Sequence, residues 1–193
     1  MTDSAIDPAP PRAGKRERLV AGAREVFHQQ GIERTTLADV AEVAEVPVGN
    51  VYYYFKTKDE LIDAVIDAHL DDVRRLTGEL DRLRTPQARL KGLARELTSQ
   101  RDLAARYGCP QGSLCSELDK RDGDQREHAA ELMRTVLAWA ETQFREIGRR
   151  DARDLAAALI ASYQGISLLA NTLSDPDLMA RECRRLERWI DTL

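Results

Sequence analysis

Asn50, Tyr52, Tyr53, Tyr54, Lys56 and Lys58 crowd into one short stretch immediately after Pro47, Val48 and Gly49. Those residue types suit contact with duplex DNA. A carboxamide such as that of Asn50 can address a base edge or a phosphate, and the apolar Pro47 and Val48 can touch thymine methyls. Gly49 permits a backbone to come close. Phenolic hydroxyls and ammonium groups hold phosphate oxygens, so Tyr52, Tyr53 and Tyr54 with Lys56 and Lys58 would form a clamp on the backbone. The competing reading is plainer: Tyr52 belongs to a core, Tyr53 is merely exposed, and the lysines are solvated.

That chemistry needs a rigid carrier. Thr36 and Asp39 have the spacing of a capping box ahead of Leu37, Val40, Ala41 and Ala44, whose intervals mark one apolar face of a short helix. After Glu45 and Val46, Pro47 stands where a first helical turn tolerates proline. Val51, Tyr52 and Phe55 supply the next inward stripe. Two helices this short cannot bury much alone. The segment from Lys15 to Gln30, with Leu19, Ala23, Val26 and Phe27 on one face and Gly31 as terminator, offers the third helix of a helix-turn-helix unit.

Thr36, Val40, Ala41, Ala44, Val46, Gly49, Tyr52, Phe55, Lys58 and Leu61 together resemble the DNA-binding domain of the TetR family of bacterial transcriptional regulators. The resemblance implies DNA contact by Thr36, Gly49, Tyr52, Tyr53 and Lys58. It departs from the family pattern at Glu45 in place of the turn glycine, Pro47 in place of serine or threonine, and Tyr54 in place of histidine. If Glu45 takes a positive φ, the strain is about 1 kcal/mol. The segment GCPQGSLCSEL is similar to a stretch in regulators of the LmrA and YxaF type.

Composition bounds the remainder. The chain has 193 residues, of which 42% are hydrophobic and 32% charged, so one soluble globular protein with an ample core is expected. A net charge of −4 argues against a protein that coats nucleic acid indiscriminately, yet leaves room for a local basic face. Arg12, Lys15, Arg16 and Arg18 form such a cluster beside the motif. Cys109, Cys115 and Cys183 have no metal-ligand spacing and are odd in number, which fits a reducing cytoplasm; a thiol switch at Cys109 and Cys115 is outweighed by small core residues. No positively charged start followed by an apolar core precedes the motif, so no secretory signal is expected.

His28, His69 and His128 fall on three separate helices, without a nucleophile elbow, a zinc-protease motif or a phosphate-binding glycine loop. No enzyme, no cofactor and no metal site is expected. Residues 1–14, rich in proline and alanine, should be a mobile arm; residues 15–57 the helix-turn-helix domain; and residues 58–193 a helical ligand-binding and dimerisation domain. The expected fold is all-α, an N-terminal three-helix unit on a C-terminal antiparallel helical bundle.

Within that larger part, Thr57 and Glu60 cap a long helix carrying Leu61, Val65, Val73, Leu76, Leu80 and Leu83. A further helix runs from Pro86 to Tyr107, and Cys109 to Gly112 reads as a turn. A wide apolar surface marks a central helix from Gln125 to Gly148. From Leu155 to Ser174 no charge interrupts the sequence. Its serines, Gln164, Asn171 and Thr172 make it too polar for a membrane span, and burial between a core and a partner subunit explains it better. Asp175 and Pro176 begin a last helix with Met179, Cys183, Leu186, Ile190 and Leu193 inward and its arginines outward.

By the resemblance, the chain is a homodimer through its two C-terminal helices, bound to palindromic operator DNA and released, as a repressor, by a small apolar or amphipathic ligand. Tyr107, Leu114, Leu118, Met133, Trp139, Phe144, Tyr163 and Gln164 are the candidate pocket residues, with Trp139 and Tyr163 foremost. Ordinary core packing competes for each of them. The alternative to DNA binding is a helical adaptor whose motif packs on protein.

Overall fold

Helix α1 (Lys15–Gln30) begins where the Gly14 N–H donates to the Glu17 carboxylate at 2.9 Å and ends at Gly31, whose φ of 83° suits glycine. The computed structural model describes residues 14–121 and 124–193, so the expected arm and Arg12 lie outside the described residues. Helix α2 (Leu37–Val43) opens with the expected reciprocal cap: the Asp39 N–H donates to Thr36 Oγ at 3.2 Å, and the Thr36 N–H donates to the Asp39 carboxylate at 2.8 Å. The hydrogen bonds with Thr36 hold the Asp39 carboxyl below the usual range.

The turn after α2 takes the strained path, with Glu45 at φ 51°. Arg18 of α1 reaches across it and donates to the Ala44 and Glu45 carbonyls at 3.1 and 3.2 Å. It thereby satisfies acceptors that the end of α2 leaves free. Gly22 lets α1 and α2 approach closely, because a Cβ there would stand 3.2 Å from the Val40 carbonyl oxygen. Pro47 is the N-cap of α3 (Val48–Tyr54), one position earlier than the first-turn place expected of it.

Thr57 caps α4 (Lys58–Leu80) by accepting the Glu60 N–H at 3.1 Å. That helix stops short of Leu83, which is exposed beyond it. The single helix expected from Pro86 to Tyr107 breaks at Gln100 into α5 (Pro86–Ser99) and α6 (Arg101–Tyr107). Cys109 to Gly112 is not a turn. The chain reverses at Gly108, φ 84°, and Pro110 then opens α7 (Pro110–Leu118), with Cys109 Sγ accepting the Gly112 N–H at 3.3 Å. Proline serves a first helical turn as well as it serves a loop, which is why the segment misleads. The bundle closes with α8 (Asp124–Glu146), α9 (Ala152–Leu173) and α10 (Pro176–Asp191).

Packing divides differently from the expected boundary at residue 58. One core joins Leu19, Ala23, Phe27, Val40 and Val51 to the first half of α4, from Leu61 to Leu70, and to Leu114, Leu118, Ala129 and Leu132. A second core begins at Val73 and gathers α5, α6, α8, α9 and α10. Polar ties reinforce the junction. The Ile32 N–H donates to Glu117 at 2.7 Å, His28 Nε2 lies 2.8 Å from the Gly108 carbonyl oxygen, and Lys58 Nζ donates to the Ile32 carbonyl.

Arg24 of α1 pairs with Asp72 of α4 and places a guanidinium nitrogen 3.4 Å from His69 Nδ1. His69 is 6% exposed. Burial pushes its pKa down to about 4; the Arg24 charge adds to the effect, Asp72 opposes it, and His28 adds a little more. The imidazole is therefore neutral at ordinary pH.

Helix α9 is long and apolar enough to cross a membrane, with a mean hydropathy of 1.2. Its buried face, including Leu159, Ile160, Tyr163 and Ile166, packs into the second core, whereas Leu168, Leu169 and Leu173 are exposed.

Two stability tests arise from these contacts. Glu45→Gly removes the left-handed strain without touching Arg18, and should raise unfolding free energy by about 1 kcal/mol in urea denaturation; no gain means that the turn relaxes with glutamate in place. For His69, the unfolded chain binds a proton below the normal histidine pKa while the folded one does not, so stability falls as pH drops from about 6.5 to 4. The loss is on the order of 3 kcal/mol. His69→Gln should lack this slope, and parallel pH profiles for both proteins would show that His69 ionises freely in the fold. Asp72 does not confound the window: burial works to raise its pKa, but hydrogen bonds from Arg75 and Arg24 outweigh this and hold it below the usual range.

Candidate functional site

Helix α3 is anchored by Val51, fully buried, with Phe55 just beyond its end, and this orientation turns Pro47, Val48, Gly49, Tyr52 and Tyr53 to the surface. Tyr52, expected on the inward stripe, is 54% exposed; Val51 and Phe55 suffice to fill the space beneath the helix. Tyr53 is 74% exposed and meets Tyr54 edge to face at 4.9 Å, while Tyr54 rests partly buried on the first core. A Cβ on Gly49 would meet nothing within 4 Å, so no contact inside the chain demands glycine there. Asn50 is half-buried at the start of the helix.

Several cations of the sequence pattern already have work inside the fold. Arg18 caps the α2–α3 turn, and the Arg16 guanidinium lies 5.3 Å from the centre of the Phe55 ring. Lys58 spends its ammonium on the Ile32 carbonyl, and Lys56 Nζ donates to the Tyr52 carbonyl at 2.8 Å from an exposed position. The Thr36 hydroxyl is engaged as a cap. The face thus combines exposed aromatic hydroxyls, one exposed lysine and the open start of α3.

A cavity of about 290 Å³ lies among α4, α5, α6, α7, α8 and α9, with Arg24 and His28 of α1 reaching its wall. Of the eight pocket candidates, it collects Met133, Tyr163 and Gln164. The others are elsewhere. Leu118 is fully buried in the first core and Leu114 packs beside it. Phe144 is also fully buried, its ring 6.0 Å from that of Trp189. Tyr107 stacks edge-on against His28 at 5.6 Å, in a groove on the α1 side. Trp139 packs half-buried against the second core and donates its indole N–H to Asp81 at 2.9 Å, away from the cavity. The cause is helical register: at about 100° per residue, Trp139 stands roughly 240° round α8 from Met133.

Sequence reasoning overlooked Arg24, His69 and Cys109 as parts of this wall. One signal was present for His69, which falls on the inward stripe of α4 between Val65 and Val73. Arg24 carried none, since its role depends on α1 lying across α4. The three cysteines are free, and burial pushes the Cys115 thiol up to about 11, which makes it a poor thiolate.

Comparison with known proteins agrees with this geometry. Residues 19–65 match the family model described as bacterial regulatory proteins, tetR family. An uncharacterized HTH-type transcriptional regulator in the lacX 3' region of Lactococcus lactis subsp. lactis is 30% identical over 172 residues, spanning 85% of this chain and 87% of that protein. The HTH-type transcriptional regulator TtgR of Pseudomonas putida is 28% identical over 193 residues, 92% of this chain and 88% of its own. Among solved structures, a TetR transcriptional regulator from Legionella pneumophila superposes with a TM-score of 0.80 at 18% identity, covering 93% of this chain and 97% of that one. The regulatory protein TetR from Rhodobacter sphaeroides gives 0.76 at 25% identity, covering 90% and 97%. With the first relative matched across most of both lengths and the helix-turn-helix matched as a unit, this chain belongs to the TetR family of bacterial regulatory proteins and is a DNA-binding transcriptional regulator.

Proposed function

We propose that the chain represses transcription from a palindromic operator as a homodimer and leaves the DNA when a small apolar or amphipathic ligand fills the cavity. The observation that carries the reading is the outward presentation of Pro47 to Asn50 with Tyr52 and Tyr53, on a helix whose inner face is fully committed to the core. In this reading the start of α3 enters the major groove, Asn50 reads a base edge or phosphate, and Thr36, Tyr53, Tyr54 and Lys56 approach the flanking backbone. Lys58 contributes chiefly by holding α4 to the turn after α1, and its charge adds to the local potential.

The exposed leucines of α9 and the neighbouring face of α10 form the subunit contact, which sets two α3 helices about 34–36 Å apart for successive major grooves. That face meets a second copy, not lipid, and the protein works in the cytoplasm without a catalytic step. Ligand response follows from the cavity wall, since Arg24 belongs to α1 and Asp72 to α4. A ligand that weakens operator binding tenfold to a hundredfold must prefer the released conformation by about 1.4–2.7 kcal/mol. Burial of a few apolar contacts reaches that range.

Operator binding measured against salt tests the DNA face. Lys56→Ala should lower the salt slope by about one per subunit site and weaken specific and non-specific DNA alike, whereas Asn50→Ala should change discrimination between operator variants. Unaltered affinity and slope in both variants, with folding intact, sinks the placement. Leu169→Arg should dissociate or destabilise the dimer, because a buried unpaired charge costs several kcal/mol. Sedimentation of a monomeric wild type at micromolar concentration would count against the α9 contact.

A further inference from the structure

We infer that the cavity selects an uncharged apolar molecule bearing a carbonyl oxygen, which accepts hydrogen bonds from His69 on α4 and Tyr163 on α9. This rests on the cavity being the inducer site and adds the class of molecule that it takes.

The donors are fixed by their surroundings. A guanidinium can only donate, so the Arg24 contact at 3.4 Å makes His69 Nδ1 the acceptor nitrogen and leaves the proton on Nε2. That N–H finds no acceptor among the described residues, although the side chain is 6% exposed and lines the cavity. Tyr163 is 7% exposed on the same cavity, with burial raising its pKa far enough to keep the hydroxyl protonated. Its neighbour is the Cys109 thiol, a weak partner. Both donors face the cavity, and a ligand that fills it displaces the water there, so one that supplies a strong acceptor is favoured over one that does not.

Charge selects against cations and anions. Asp72 is already paired with Arg24 and Arg75, and Glu79 lies 3.5 Å from Arg75. Among the described residues that line the cavity, Glu96 is the one carboxylate without an ion-pair partner, and it is exposed at the edge, where water screens it. The guanidinium groups are likewise occupied, so a carboxylate ligand would have to break existing pairs. Leu93, Leu97, Val136 and Ile160 supply the apolar remainder.

The test is equilibrium dialysis of wild-type protein with ketone and hydrocarbon pairs of matched shape: fluorenone and fluorene, benzophenone and diphenylmethane, acetylnaphthalene and ethylnaphthalene. Naphthylethylamine, protonated at neutral pH, is the cationic control. In at least one pair the ketone should bind about tenfold more tightly. Tyr163→Phe or His69→Leu should reduce that preference towards unity while the hydrocarbon affinity holds. If His69→Leu fails to fold, the isosteric Tyr163→Phe decides alone. Equal binding within every pair, a ketone preference that survives every folded variant, or tighter binding of the amine overturns the carbonyl assignment and leaves the cavity as a ligand site. Failure of every probe to bind overturns the assignment together with the reading of this cavity as the inducer site.

Discussion

Everything in this molecule depends on a core that the DNA-binding helices cannot complete alone. Helices α1, α2 and α3 bury Leu19, Ala23, Phe27, Val40 and Val51, yet closure requires Leu61 to Leu70 from α4 and Leu114 with Leu118 from α7. Each fully buried leucine is worth about 1.5–3 kcal/mol, so the two on α7 are a large fraction of the usual stability of a small domain. The reading head is consequently set by packing into the regulatory bundle, and cannot tilt without disturbing α4 and α7.

That dependence gives the polar ties at the junction their meaning. Glu117 accepts the Ile32 N–H, His28 meets the Gly108 carbonyl, and Lys58 holds the other side of Ile32. All three act near the end of α1, where a helix leaves backbone groups without internal partners. Arg24 links the same helix to Asp72 and His69 in the cavity wall. A molecule bound against His69 therefore touches the surroundings of α1 through one side chain. Packed interfaces of this kind change by discrete rearrangement, which is how a small shift in a cavity becomes a change in helix spacing.

Basic residues illustrate how one chemical type divides between architecture and recognition. Arg16 and Arg18 sit beside the motif and have the charge that phosphate contact requires. The fold uses Arg18 to satisfy carbonyls around the strained Glu45 and lays Arg16 over Phe55. A non-glycine residue at positive φ persists only where neighbours over-determine it, and Arg18 does so from a different helix.

The sequence by itself determined the helices, their caps and the recognition motif, because those are local: Thr36 with Asp39, Thr57 with Glu60 and Asp175 before Pro176 each act within one turn. The periodicity of α1, α4 and α10 likewise revealed their inward faces, whereas strain at Glu45 was expected only through the resemblance, where a glycine usually stands, and its φ of 51° bears out the condition. Local rules misread Cys109 to Gly112, where proline fits a helix start and a turn equally. They also over-extended the helix through Gln100 and drew Tyr52 inward, since Val51 and Phe55 alone fill the space beneath α3. Only the tertiary structure decided which side chains share the cavity. Trp139, Phe144 and Met133 lie on one helix with similar apolar character, yet reach the rim of the second core, its interior and the cavity respectively. Arg24 and His69 come together across 45 residues of chain, by the crossing of α1 on α4. Apolar periodicity says that a face is buried; what it is buried against depends on the relative placement of whole helices, which no local spacing encodes.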